Sequence, residues 1–122
     1  MIEDDLRELI GSELPGTAVY SRLIPMALPE CIVVQSGAGA PTRASIRRAV
    51  HRITLMAVSS DEATASSLVH AARDALITGI PYDSASTHYY TARALTDGSL
   101  RRKAYDGPRY IMSVDMEVVA SL

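Results

Sequence analysis

The 122-residue chain has no phenylalanine and no tryptophan; its six aromatic residues are all tyrosine. Large apolar side chains are the usual way for a small domain to bury area, at about 25 cal/mol per Å². A core of Leu, Ile, Val, Met and many alanines buries less per residue, in a domain whose size already limits burial. Two readings stay open: partner subunits cover part of the apolar surface, or the aliphatic residues suffice. A single cysteine, Cys31, excludes an internal disulfide and a cysteine-based zinc cluster. Within Cys31-Ile32-Val33-Val34 it reads as a buried core thiol in a reducing interior. No apolar run approaches the roughly 20 residues of a membrane span. The opening Met1-Ile2-Glu3-Asp4-Asp5 is acidic where a secretory signal is basic. A net charge of −2 gives no global attraction to nucleic acid or anionic lipid. With 48% hydrophobic and 21% charged residues, one folded domain over residues 1–122 is expected rather than disorder.

What is present is clearest over residues 51–77. In 51–58, Ile53, Leu55 and Ala57 alternate with Arg52, Thr54, Met56 and Val58, the period of a strand. Ser59 followed by Glu62 has the form of a capping box, and Asp61 and Glu62 suit a helix N-terminus. Ala65, Leu68, Val69, Ala72 and Leu76 then recur at helical spacing until Thr78-Gly79 and Pro81 end the run. This helix is expected to lie across a sheet that contains the preceding strand.

The rest of the chain fits around that unit. Ile2, Leu6, Leu9 and Ile10 share a helical face opened by three acids and closed by Leu14-Pro15-Gly16. Residues 17–24 are β-prone, and Pro25-Met26-Ala27-Leu28-Pro29 interrupts them. Residues 30–36 are almost continuously apolar, so a second strand covered on both faces is expected. Residues 37–42 read as a loop. Residues 43–50 fit either a helical face or an extended arm entering the next strand, and the arm is favoured. Residues 88–96 read as a strand running into Asp97-Gly98, a hairpin signal. Residues 99–105, with Arg101-Arg102-Lys103, are a ragged strand or an exposed loop. Residues 109–119 are the clearest strand. Met112, Val114, Met116 and Val118 face one way; Ser113, Asp115 and Glu117 face the other. The order α-β-β-β-α-β-β implies an α+β domain, a mainly antiparallel sheet with two helices packed on one face.

Few residue groups suggest chemistry. Asp83, Ser84, Ser86 and His88 contain acid, hydroxyl and imidazole, but no nucleophile-elbow Gly-x-Ser-x-Gly accompanies them, and turn residues before a strand explain the same letters. His51, His70 and His88 lack metal-ligand spacing. Gly37-x-Gly39 lacks the Lys-Ser/Thr ending of a phosphate loop. Neither catalysis nor a cofactor or metal is expected. Two basic clusters, Arg43, Arg47, Arg48 and Arg52, then Arg101, Arg102 and Lys103, could touch phosphates, pair with acids of a neighbouring subunit, or stay solvated. Asp115 and Glu117 sit at i, i+2 on one strand face. They are either an acid/base pair or a polar sheet face paired with Arg93 across a strand.

Four stretches carry a family resemblance: the opening helix at 2–10, the strand-to-helix unit at 53–63, the strand Ala92-Arg93-Ala94-Leu95, and the ending at 106–118. Together they resemble the tail terminator (tail completion, minor tail) proteins of bacteriophages with long flexible tails. The resemblance spans nearly the whole chain as a pattern of elements, without a signature residue. It implies a small α+β domain with no catalytic residues. Such a protein forms a hexameric ring in the virion at the neck end of the tail, assembled in the host cytoplasm. The ring stops tube growth and presents a surface to the head. The implied partners are copies of the same chain, the major tail tube protein and head–tail connector or stopper proteins. Genomic DNA passes through without sequence-specific binding, and no membrane is involved. The candidate contacts are Arg43, Arg47, Arg48, Arg52, Arg101, Arg102, Lys103, Asp115 and Glu117, with 37–48 and 99–105 as partner-contacting arms. Another neck protein is the nearest rival, and a small nucleic-acid-binding module a more distant one.

Overall fold

The computed structural model describes residues 2–22, 30–36, 42–45, 47–96, 99–103 and 109–121. In chain order the elements are α1 (Ile2–Glu13), β1 (Val19–Ser21), β2 (Cys31–Ser36), β3 (Thr42–Ser45), β4 (Arg48–Ser59), α2 (Glu62–Gly79), β5 (Tyr82–Asp83), β6 (His88–Ala94), β7 (Ser99–Lys103) and β8 (Tyr110–Ser121). The class is α+β. The expected order gains strands because 42–45, 82–83 and 99–103 each find a backbone partner.

Two 12-residue strands form the spine. β4 and β8 pair antiparallel along their whole length, from Arg48 opposite Ser121 to Ser59 opposite Tyr110. Neither strand contains a proline or glycine to interrupt it, so the ladder runs on without a gap. β2 and β3 follow one another along the outer edge of β4, and β6 and β7 do the same along β8. The sheet order is β1-β2-β4-β8-β6-β5. Among the described strands one pairing is parallel: β1 beside β2, with Val19 opposite Ile32.

The favoured reading of 43–50 as extended rather than helical holds for the strand residues: 48–50 open β4, and Thr42–Ser45 form β3, which pairs antiparallel with them where β2 no longer reaches. Two expectations change. Asp97-Gly98 lies outside the described residues, but β6 and β7 are not the two sides of a hairpin. Both run antiparallel to β8 on one edge, and the gap between them is bridged by Leu95 N–H to the Asp115 carbonyl (2.7 Å) and Asp115 N–H to Thr96 Oγ1 (2.9 Å). The helix cap is Asp61 rather than Ser59. Ser59 is the last, fully buried ladder residue of β4 and its Oγ accepts from Asp61 N–H at 3.2 Å. The strand therefore uses up the residue that the capping pattern assigned to the helix. The Asp61 carboxylate accepts from Thr64 N–H (3.0 Å) and Thr64 Oγ1 (2.7 Å).

Both helices lie on one face of the sheet. Leu6, Leu9 and Ile10 of α1 and Ala65, Val69, Ala72 and Leu76 of α2 join Ile53, Leu55, Ala57, Met112, Val114, Met116 and Val118 in a single core. α1 and α2 approach closely: a Cβ on Gly79 would stand 2.6 Å from Leu9 Cδ1 and 3.0 Å from its Cγ. The acids that open α1 also tether it. Tyr89, buried in β6, donates its hydroxyl to Asp5 (2.6 Å); Ser21 donates to Asp4 (3.0 Å); Arg22 lies 3.6 Å from Glu3 and 3.4 Å from Asp4. β2 is covered on both sides as expected, with residues 31–34 fully buried. Residues 23–29 and 37–41 lie outside the described residues.

Candidate functional site

Strand parity decides which side chains the helices leave uncovered. Ile53, Leu55 and Ala57 turn toward the helices, so Arg48, Val50, Arg52, Thr54, Met56 and Val58 of β4 turn away. Their ladder partners on β8 are Ser121, Val119, Glu117, Asp115, Ser113 and Ile111. This open face has two ends of different character. Around the C-terminal end of β4, Cys31, Val33, Met56, Val58 and Ile111 form a small second cluster of buried apolar residues, with Ala18 packed against it. Burial raises the Cys31 thiol pKa, and the Arg109 guanidinium, itself buried, partly offsets the rise.

The other end is charged. Glu117 of β8 is directly opposite Arg52 of β4 on one side and Arg93 of β6 on the other. Arg93 holds the Glu117 carboxylate with two N–H donors, Nε at 3.1 Å and Nη2 at 3.3 Å. Asp115 accepts from Thr54 Oγ1 at 2.9 Å, directly across the ladder. Arg48 lies over the Tyr90 ring, 4.0 Å from its centroid, a cation–π contact. Tyr90 meets the His88 ring edge-on at 4.4 Å, and His88 Nδ1 pairs with Asp83. Of the two readings of Asp115 and Glu117, the paired polar sheet face is what the geometry builds. Their carboxylates are engaged by Thr54 and Arg93 rather than turned toward each other.

The sequence-stated candidates therefore split. Arg48, Arg52, Asp115 and Glu117 converge on one surface. Arg43 is opposite Ala49, whose side chain turns to the helix side, so register places Arg43 on the other face. Arg47 is exposed beside the start of β4. Arg101, Arg102 and Lys103 sit in β7, against the far end of β8, well along the ladder from Arg52. The two basic clusters are thus not one patch. Arg93 and Tyr90, which were not among the expected contacts, complete the charged end. Arg93 was visible as a cross-strand partner, but Tyr90 depends on a register shift between Tyr89 and Thr91 that no sequence pattern announces.

The hydrolytic candidates are turn structure. Ser84 Oγ donates to the Thr87 carbonyl (3.2 Å) and accepts from Thr87 N–H (3.1 Å), which closes the turn between β5 and β6. His70 Nδ1 is 2.8 Å from the carbonyl of Ser66, one turn earlier in α2. Burial lowers the pKa of His51 from its ordinary value. Among the described residues no group of three or more His, Cys, Asp or Glu side chains is arranged to hold a metal ion. Among the described residues no helix is long and apolar enough to cross a membrane.

No family model matches this chain, and no curated protein does. Solved structures do. A chain from the structure described as "Virion of native gene transfer agent (GTA) particle" superposes with a TM-score of 0.66 at 21% identity, covering 93% of this chain and 85% of that one. A second solved structure matches with a TM-score of 0.50 at 16% identity, covering 96% of this chain and 89% of that one. At these identities the likeness is one of fold.

Proposed function

We propose that this chain is a structural protein of a phage-type virion, and specifically a tail terminator. It forms a ring, hexameric by the family resemblance, that caps the tail tube, ends its polymerisation and offers the surface to which the head attaches. The observation that carries the reading is the fold match, over nearly the full length, to a chain of a gene transfer agent virion. The charged open face supports it: a two-layer domain with one sheet face left uncovered by helices suits a subunit that meets others. Arg48, Arg52, Asp115 and Glu117 on that face, with Arg43, Arg47, Arg101, Arg102 and Lys103 at the sheet margins, are the candidate contacts to neighbouring copies, the tail tube protein and connector or stopper proteins. Genomic DNA passes through the ring without sequence-specific binding.

The test is genetic and visual. Particles produced without this chain should carry tails of uncontrolled length and no joined heads in electron micrographs, and expression of the chain in trans should restore both. Tails of normal length that merely fail to join heads would instead assign the chain to a connector or stopper. Normal, joined particles would remove the virion reading altogether.

A further inference from the structure

The net charge of −2 conceals a strong internal separation. The two helices, with the cap residue Asp61, carry eight acids (Glu3, Asp4, Asp5, Glu8, Glu13, Asp61, Glu62, Asp74) against Arg7 and Arg73. The strands carry seven cations against three acids, Asp83, Asp115 and Glu117. Both helices lie on one side of the sheet, and on the opposite, open face Arg48, Arg52 and Arg93 stand against Asp115 and Glu117, so acids dominate one side and cations slightly outnumber acids on the other. Several of the helix acids are already engaged within the chain, by Arg22, Ser21, Tyr89 and Arg73. Glu8, Glu13 and Glu62 are exposed, and among the described residues none has an ion-pair partner. On the open face Arg52 is exposed and, among the described residues, has no ion-pair partner, while Arg48 lies over the Tyr90 ring. Between Arg48 and Arg52 the half-buried Val50 and Val119, directly opposite each other, give that end an apolar centre.

We infer that the charged end of the open sheet face receives the acidic helix layer of a second copy of this chain. The occupant is a copy because Arg48 and Arg52 on one surface and Glu8, Glu13 and Glu62 on the other are opposite in sign, lie on opposite sides of one domain, and have no ion-pair partner among the described residues. A contact between opposite sides is heterologous: every copy offers the same two surfaces to different neighbours, so the contact either closes into a ring or runs on as a filament. This inference rests on the ring reading above and names the surfaces that build the ring. Exposed ion pairs contribute little affinity each, so their work here is to fix orientation and to speed encounter, with Val50 and Val119 as the dry centre.

The experiment follows the oligomeric state of the purified chain by sedimentation velocity up to about 1 mM, the weakest association that still registers. The wild-type chain should associate, and less so as salt rises from about 0.05 M to about 0.5 M. Arg48→Glu/Arg52→Glu and Glu8→Arg/Glu13→Arg should each weaken association by about 100-fold or more, since like charges then face one another. Mixed in equal amounts, the two variants should associate again in strict alternation, because the reversed surfaces match. Thermal melts check folding, and Arg48→Gln/Arg52→Gln replaces the first variant if it does not fold. Oligomers unchanged in both variants would overturn this docking and leave the ring reading standing. A chain that stays monomeric at every concentration would overturn both. Loss of DNA retention by the arginine variant, with association intact, would make the open face a nucleic-acid surface instead.

Discussion

The two faces of the β4–β8 ladder share every backbone hydrogen bond and nothing else. On the covered face Ile53, Leu55 and Ala57 lie beside Met116, Val114 and Met112 beneath α2, all buried. On the open face Arg52 and Thr54 lie opposite Glu117 and Asp115; Thr54 donates to Asp115, Arg93 holds Glu117, and water reaches the whole group. The contrast separates two roles. One face supplies the apolar burial that holds a small, aromatic-poor domain together. The charged end of the other supplies charge pattern and is free to vary with little effect on folding, unlike the buried apolar cluster at its far end. Substitutions on the two faces should therefore fall into different ranges, and that difference can be attacked directly.

The largest effect belongs to the covered face. Leu76 of α2 is fully buried in the core. Leu76→Ala removes that packing and leaves a cavity, at an expected cost of about 2–5 kcal/mol in denaturant unfolding. Thr54→Ala on the open face, which loses only the hydroxyl bond to Asp115, should cost about 1 kcal/mol. Equal costs for the two would break the comparison.

Next comes the tie between α1 and β6. Tyr89→Phe keeps the ring stacked near Tyr82, at 6.2 Å between centroids, but takes the donor from the Asp5 carboxylate. The expected loss is about 1.5–3 kcal/mol, because the bond is to a charged acceptor in a largely dry setting. It should also change the alkaline limb of the stability curve. Burial, then the Asp5 bond, raises the Tyr89 pKa above its ordinary 10.0, while a bond with Thr87 acts the other way. The folded chain thus keeps a proton that the unfolded chain releases near that value. This stability is fully present below the unfolded pKa and is lost as pH rises through the folded one. Denaturant midpoints of the wild type measured from about pH 9 to about pH 11 should fall more steeply than those of Tyr89→Phe.

The covered face was largely legible in the sequence, because burial imposes periodicity. The alternation at 53–57 and 112–118 and the helical spacing at 65–76 reappear as one core. The margins were less so, because local patterns compete there. Ser59-x-x-Glu62 has the letters of a cap, yet the strand runs one residue too far for it, and a two-residue shift hands the role to Asp61. Asp97-Gly98 has the letters of a hairpin, yet β6 and β7 share one edge because β8 is long enough to pair with both in series. The open face was half legible. Arg93 opposite Glu117 follows from alternation, but Arg48 over Tyr90 needs the bulge after Tyr89. The separation of charge between helices and sheet was in the sequence throughout, but it has meaning only once both helices are known to lie on one side.

Within the covered side, packing tolerance gives a smaller effect. Gly79→Ala drives a methyl into Leu9, and the expected cost is about 1–3 kcal/mol. Leu9→Ala should cost more alone, yet much less when combined with Gly79→Ala, since each then makes room for the other. Additive costs in the double variant would mean that α1 and α2 do not share this contact.

The smallest effect on folding should come from the pair that defines the open face. Arg93 and Glu117 make a two-donor ion pair, but the Arg93 side chain is 70% exposed, so water screens the attraction. A double-mutant cycle with Arg93→Gln and Glu117→Gln should give a coupling of about 0.2–1 kcal/mol, shrinking as salt rises. A coupling well above about 2 kcal/mol and insensitive to salt would mean that the open face also holds the fold, because only desolvated charges interact so strongly. A weak coupling leaves another use for the pair. Glu117 is directly opposite Arg52 and already held by Arg93, so Arg52 stays available to a carboxylate from outside the chain. Glu117→Gln should then leave folding nearly unchanged while altering how copies associate, which no residue of the covered face can do without first unfolding the domain.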